Sequence, residues 1–578
     1  MDHGCDKRLD LNRRRFIHCL SAMGLGSTLL PGALMATAKE AELISINMLE
    51  AAARVAGLTL TTDELSSIVD RLNGEDNFFE SYAMIRDLEL PNSVPPAFVF
   101  NPVPPGMKLP NESRPLRLSD VPTSRPGTDE ELAFLPVHRL AKLIETRAVS
   151  STDLTKLYLA RLKEYDPRLH CVVTLTEELA LRQAKQADDE IMGGHYRGPL
   201  HGIPWGAKDL LAVKGYPTTW GASPYRKQTI DLNATVYERL TDAGAVLVAK
   251  LTMGALAQGD RWFGGRTRNP WKLDQGSSGS SAGSGSATAA GLVGFAIGTE
   301  TRGSIISPSS RCGITGLRPT FGRVSRYGAM ALSWTMDKIG PMCRSAEDCA
   351  IVLRAINGLD GNDNTLLDVP FNWDGGADVS QLRVGCLKSL IEGELPSTGD
   401  ENADRFAREE QVQNEKALQV IRKLGIDLKP IELPDLPSRQ IGFVLTTEAA
   451  AAFDDLTRSD RDQQMMGEPE SSRWPEAFRL HRFVPAVEYI QANRVRTLMV
   501  KALDELFTDI DLFIGSDLAL TNLTGHPEIV MPHGFRSDGT PTNLRFTGKL
   551  FGEASIALLA HAFQKQTHHH LKRPNLRV

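Results

Sequence analysis

Apolar residues recur at helical spacing early in the chain. Ile44, Met48, Leu49, Ala52, Val55 and Ala56 predict one helix, and Leu65, Ile68, Val69 and Leu72 a second, capped by Thr62-Asp63. Residues 41–90 therefore read as helical. Residues 91–130 lose the pattern: they hold ten prolines and few periodic apolar positions, which predicts an extended stretch wrapping the surface. From about Leu135 helices alternate with short apolar strands. Val236–Leu240 predicts a helix feeding a buried strand at Gly244–Ala249, and Leu382–Leu387 and Asp511–Gly515 read as further strands. This alternation predicts an α/β fold with helices on both faces of a central sheet. The polar, charge-rich region from about Asp363 to Ser472 predicts variable helices and loops over one end of the sheet.

The first forty residues follow a different logic. Arg13-Arg14-Arg15 precedes an apolar, Gly/Ala-rich run from Cys19 to Ala36, and Ala36-Thr37-Ala38 offers small residues at the spacing a signal peptidase reads. The paired arginines point to twin-arginine export machinery and a periplasmic or extracellular location. The run is too short and Gly-rich for a good membrane span, so no stable membrane insertion is expected. Three segments follow: residues 1–38 as signal, 39–131 as an added helical and extended segment, and 132–578 as the main domain.

Composition excludes some functions. The net charge of −6, without a basic stripe, argues against a nucleic-acid partner. Cys5 and Cys19 leave with the signal. The remaining Cys171, Cys312, Cys343, Cys349 and Cys386 are an odd, scattered set that predicts buried free thiols, with Cys343–Cys349 the one conceivable pair. No Cys/His group has zinc spacing, and His568-His569-His570 reads as a surface tract.

Candidate chemistry lies in three places. Ser277 to Ser286 is a Ser/Gly run that composition alone would make a linker. It leads, however, into the Ala-rich 287–293 stretch, which predicts a functional loop opening a buried helix. In Gly298-Thr299-Glu300-Thr301-Arg302-Gly303-Ser304-Ile305, a glycine beside a serine lets successive backbone N–H groups converge on one point, as an oxyanion requires. Taken alone, this segment reads first as a tight turn with a structural serine. Lys208 follows an apolar stretch, Pro199 to Ala207. A desolvated lysine loses its proton readily and can act as a base, whereas a snorkelling surface lysine is the ordinary alternative.

Together and in order, these segments resemble the amidase signature family, whose hallmark is G-G-S-S-G-G-S, a helix, then G-T-D-x-G-G-S-I. Here the matches are Ser278 to Ser284 and Gly298 to Ile305, with Lys208-Asp209, Cys312 to Thr320, Gly322 to Arg326 and Asn522 to Pro527. The resemblance runs from about Leu135 to the end. It implies an α/β/α sandwich around a large mixed central sheet. The family's bridging serine lies twenty-four positions before the nucleophile, which selects Ser280 over Ser277. The resemblance further implies Ser304 as nucleophile, Ser280 in a cis peptide bond as relay and neutral Lys208 as base. The backbone N–H groups of Thr301, Arg302, Gly303 and Ser304 would face the oxyanion, Ala257 would fall near the acyl pocket, and no metal or organic cofactor is required.

Arg302 departs from the pattern, since many members carry glycine there. Its side chain either reaches a substrate carboxylate or carbonyl, or pairs with Glu300 or another local acid. Ile306 and Arg311 also replace residues that are often arginine and phenylalanine. The T-E-T-x-G-S-I pattern is closer to the peptide-amidase branch than to the glutaminase subunits of tRNA-dependent amidotransferases. The expected activity is hydrolysis of a linear amide of a small molecule or peptide through a seryl acyl-enzyme. The alternatives are a glutaminase subunit, an esterase or carbamate hydrolase, and an inactive binding protein. The sequence leaves the oligomeric state open.

Overall fold

The computed structural model describes residues 43–74, 79–393, 399–467 and 469–576. The export signal expected in residues 1–38 lies outside the described residues. The described residues fall into two compact units. One is formed by the chain up to Val94 with Arg479–Ile490, the other by Pro95–Phe478 with Gln491–Val578.

In the smaller unit the periodic stretches are helical, at Ile46–Val55, Thr62–Leu72 and Phe79–Asp87. The second helix is capped one residue earlier than expected. Thr61 and Glu64 form a capping box, which satisfies the first free N–H groups reciprocally. Asn73 closes the first two helices by exchanging hydrogen bonds with both backbone atoms of Ile44, at 2.8 and 3.0 Å.

The larger unit is built on an eleven-stranded mixed sheet. In chain order the strands are β1 (Val172–Leu175), β2 (Pro204–Lys208), β3 (Val246–Leu251), the short hairpin strands β4 (Arg261–Trp262), β5 (Gly265–Arg266), β6 (Arg268–Asn269) and β7 (Lys272–Gly276), then β8 (Phe295–Glu300), β9 (Thr315–Arg318), β10 (Lys338–Cys343), β11 (Val384–Leu387), β12 (Leu428–Ile431), β13 (Leu512–Ile514), β14 (Glu528–Phe535) and β15 (Pro541–Gly548). The large sheet runs β1-β3-β2-β8-β10-β9-β14-β15-β13-β11-β12. Strand β2 pairs in parallel with both β3 and β8. Every residue of β2 and β3 is buried, as expected for parallel strands covered on both faces. Residues 95–128, although extended, belong to this larger unit. Phe100 meets Phe321 edge-on, and Arg117 bridges to Asp374.

β11 is the strand expected at Leu382–Leu387, whereas β12 contradicts the reading of the rest of residues 363–472 as helices and loops over one end. Strands β11 and β12 pair in parallel at the sheet edge. The middle of β12 is the exposed pair Lys429-Pro430, so its polar texture hides a strand. The five described cysteines are free and buried, Cys343 and Cys349 included. No described helix is long and apolar enough to cross a membrane.

Candidate active site

Lys208 and Thr299 are brought together by strand register. Trp205 of β2 sits opposite Phe295 of β8, and Ala207 opposite Ile297, so Lys208 comes level with Gly298, within reach of Thr299, at the carboxyl ends of neighbouring parallel strands. Ligands in open α/β sheets collect at such strand ends. The Ser/Gly run closes over them. It turns into the fully buried helix Ala282–Ala289, and β8 passes so close that a Cβ on Gly298 would lie 2.8 Å from Ser281 Oγ. The Gly279–Ser280 peptide bond is cis.

The Lys208 amine is out of water. Its side chain is wholly buried, with Nζ 2.8 Å from Ser280 Oγ, 3.0 Å from Ser281 Oγ, 2.8 Å from Thr299 Oγ1 and 3.3 Å from the Thr299 carbonyl oxygen. Burial lowers its pKa to about 7, against the opposing charges of Asp337 and Glu300.

Counting protons orients this cluster. The Ser281 hydroxyl donates to the Thr299 carbonyl at 3.1 Å, so toward Lys208 it can only accept. One lysine N–H therefore points to Ser281. Ser280 and Thr299, each with its hydroxyl 2.8 Å from the amine, are the two groups whose proton a neutral Lys208 could accept.

Ser304 lies on the turn after β8, and the Ser281 N–H donates to its carbonyl at 3.2 Å. Gly303 has φ +83°, a conformation that L residues adopt at a cost. Glu300 holds the far side of the turn: one carboxylate oxygen accepts from Ile305 N at 2.8 Å and Ile306 N at 2.9 Å. Among the described residues, no protein acceptor takes the N–H groups of Arg302, Gly303 or Ser304. Half-buried Ser304 and buried Gly303 thus present free donors. The Thr301 hydroxyl goes to Asp337 at 2.5 Å, and Asp337 also accepts from Leu332 N and Ser333 N.

Glu300 is anchored in turn by Arg318 at 2.8 Å and by Asn522 Nδ2 at 2.9 Å. Arg318, also wholly buried, reaches Thr521 Oγ1, the His526 carbonyl and Glu528. Burial alone would push the Glu300 carboxyl up. Arg318, the Ile306 N–H and Lys338 hold it down at about 2. This stabilises the fold above about pH 4.5 and is lost as pH falls toward about 2. Arg318→Met removes the countercharge of two buried carboxylates. The expected loss is about 3–5 kcal/mol of unfolding free energy, measured by urea titration, and a loss below about 1 kcal/mol would contradict the anchoring role.

Ala257 follows Leu256 in a turn where both have positive φ, +46° and +63°, a conformation that costs about 1–3 kcal/mol per residue and concentrates at functional sites. Gly254 N donates to the Ser280 carbonyl and Ala257 N to the Gly254 carbonyl, which ties this turn to the serine loop. The Arg302 side chain is exposed and has no ion pair among the described residues. Glu300 is occupied by Arg318 and Asn522 instead, which removes the Arg302–Glu300 alternative. Three contributors carried no sequence signal of their own: Ser281 and Thr299, hidden inside the motifs as partners of Lys208, and Asp337, in a loop without periodicity.

The Amidase family model matches residues 153–516. The chain is 34% identical over 503 residues to a glutamyl-tRNA(Gln) amidotransferase subunit of Chloroflexus aurantiacus, covering 78% of this chain and 100% of that protein. It superposes on the native peptide amidase from Stenotrophomonas maltophilia with TM-score 0.67 and 28% identity, covering 77% of this chain and 99% of that one. A bacterial aryl acylamidase of the amidase signature family shares the fold, with TM-score 0.65 and 21% identity, covering 76% of this chain and 99% of that one. The chain belongs to the amidase signature family, whose enzymes cleave amide carbon–nitrogen bonds.

Proposed function

We propose that this chain is a stand-alone, exported amide hydrolase in which Ser304 is the nucleophile, Ser280 the relay and Lys208 the base. The carrying observation is the wholly buried amine 2.8 Å from Ser280 Oγ. Neutral Lys208 takes the Ser280 proton, and Ser280 takes that of Ser304. Ser304 Oγ then bonds to the amide carbonyl carbon, and the C=O electron pair moves onto the oxygen, facing the amides of residues 301–304. Collapse expels the amine, which leaves with a proton returned along the relay. Water, deprotonated by the same relay, cleaves the ester and regenerates Ser304. The Ser280–Ser304 hydroxyl contact is part of this proposal; catalytic hydrogen bonds of this kind often tighten only when substrate is bound. The same acyl-enzyme would accept esters and carbamates as side substrates.

The second reading is a glutaminase subunit, favoured by 34% identity across the full length of the amidotransferase relative. The Arg13-Arg14 signal and the T-E-T-x-G-S-I pattern favour the stand-alone enzyme. Purified protein should release ammonia or amine from amidated peptides, anilides or simple amides without a partner. Ammonia from free glutamine alone, dependent on added partner proteins, would replace the first reading with the second. Export predicts a periplasmic or secreted form beginning after Ala38, which N-terminal sequencing reads directly.

A further inference from the structure

The residue before Gly303-Ser304 carries an exposed guanidinium. Arg302 is exposed and has no ion pair among the described residues. The acids beside it are taken: Glu300 by Arg318, Asn522 and two backbone amides, and Asp337 by Thr301 and the Leu332 and Ser333 amides. The side chain reaches toward Gly442, where an added Cβ would lie 3.2 Å from Arg302 Nη1. Glycine at 442 leaves room for the planar group. Gly442 precedes the helix Phe443–Ala452. Glu448 on that helix binds Ser333 and Thr335, so the helix is tied to the loop that holds Asp337 and, through it, Thr301. The guanidinium thus has no countercharge among the described residues, and it belongs to the residue whose backbone amide would face the reacting carbonyl.

Resting on the amide-hydrolase reading, we infer that Arg302 is a specificity residue for carboxylate-bearing amides, substrates with an anion a few bonds from the scissile carbonyl. A guanidinium pairs with a carboxylate through two parallel hydrogen bonds, which fixes orientation as well as charge. At a partly exposed position the attraction weakens with salt.

The test compares kcat/KM for matched pairs: the monoamide of adipic acid against hexanamide, and N-hexanoylglycine against N-propylhexanamide. The wild-type enzyme should favour the carboxylate in at least one pair by tenfold or more, less so in added salt. Arg302→Gln should reduce that ratio at least tenfold, and Arg302→Lys should restore part of it. An unchanged ratio in Arg302→Gln, or equal losses on neutral and anionic members, would overturn the inference. Equal losses would assign the guanidinium to the oxyanion instead. Where turnover is too slow to read, adipic monoamide should protect Ser304 from fluorophosphonate labelling better than hexanamide, and only with Arg302 intact. Equal protection overturns the inference. Absence of both labelling and turnover in the wild type would instead refute the amide-hydrolase reading.

Discussion

Ser304→Ala is expected to abolish amide turnover, with a loss of about 10⁴-fold or more, because removal of a nucleophile leaves only the contributions of binding and the oxyanion donors. The variant should fold normally. Ser304 is half-buried, and the described contact of its residue is the backbone bond from Ser281 N, which alanine keeps. Fluorophosphonate labelling should vanish with turnover. Labelling that persists in Ser304→Ala would move the nucleophile to another hydroxyl, with Ser280 the first to examine.

Replacing Lys208 should cost nearly as much, and the choice of replacement separates base from scaffold. Lys208→Ala leaves Ser280, Ser281 and Thr299 facing an empty space where Nζ stood. Lys208→Arg supplies donors and charge but keeps its proton at every working pH, so it can orient these oxygens and cannot accept from Ser280. Both variants should lose about 10³-fold or more in kcat/KM. Substantial activity in Lys208→Arg would show that position 208 needs only a cation, which contradicts a proton-accepting role. Lysine brings a stability cost as well. With its pKa lowered to about 7 from 10.5, the native state binds fewer protons than the unfolded chain between those values. Stability therefore rises with pH across that window.

The site was legible wherever backbone geometry restricts residue choice. Gly303 and Gly298 stand where a positive φ and a close strand approach admit little else, so the motifs carry their shape in composition. Lys208 was readable from its apolar flanks, which place it on a buried strand. Asp337 was not, because its work is done through the Thr301 hydroxyl and two loop amides that leave no periodic trace. Glu528 lies far from Arg318 in the chain and meets it only through sheet pairing, since β14 joins β9. The fold class followed from alternation of helices and strands. β12 escaped because Lys429-Pro430 reads as a loop, whereas an edge strand can carry exposed polar residues and proline on its open side. The first compact unit's helices were visible as apolar periods, and the capping register shifted by one because Thr61 and Thr62 are both competent caps, with Glu64 at the right spacing only for Thr61.

The proposed mechanism depends on a lysine whose pKa burial lowers to about 7, so that its neutral form accepts a proton from a serine relay. Its most direct test is the pH dependence of single-turnover acylation of Ser304 by a fluorophosphonate, followed between about pH 5 and 9. The expected rate rises with pH, reaches half its plateau near pH 7 and collapses in Lys208→Ala. A wild-type rate that is flat across that range, or a Lys208→Ala enzyme that labels as fast as wild type, would contradict the lysine's role as base.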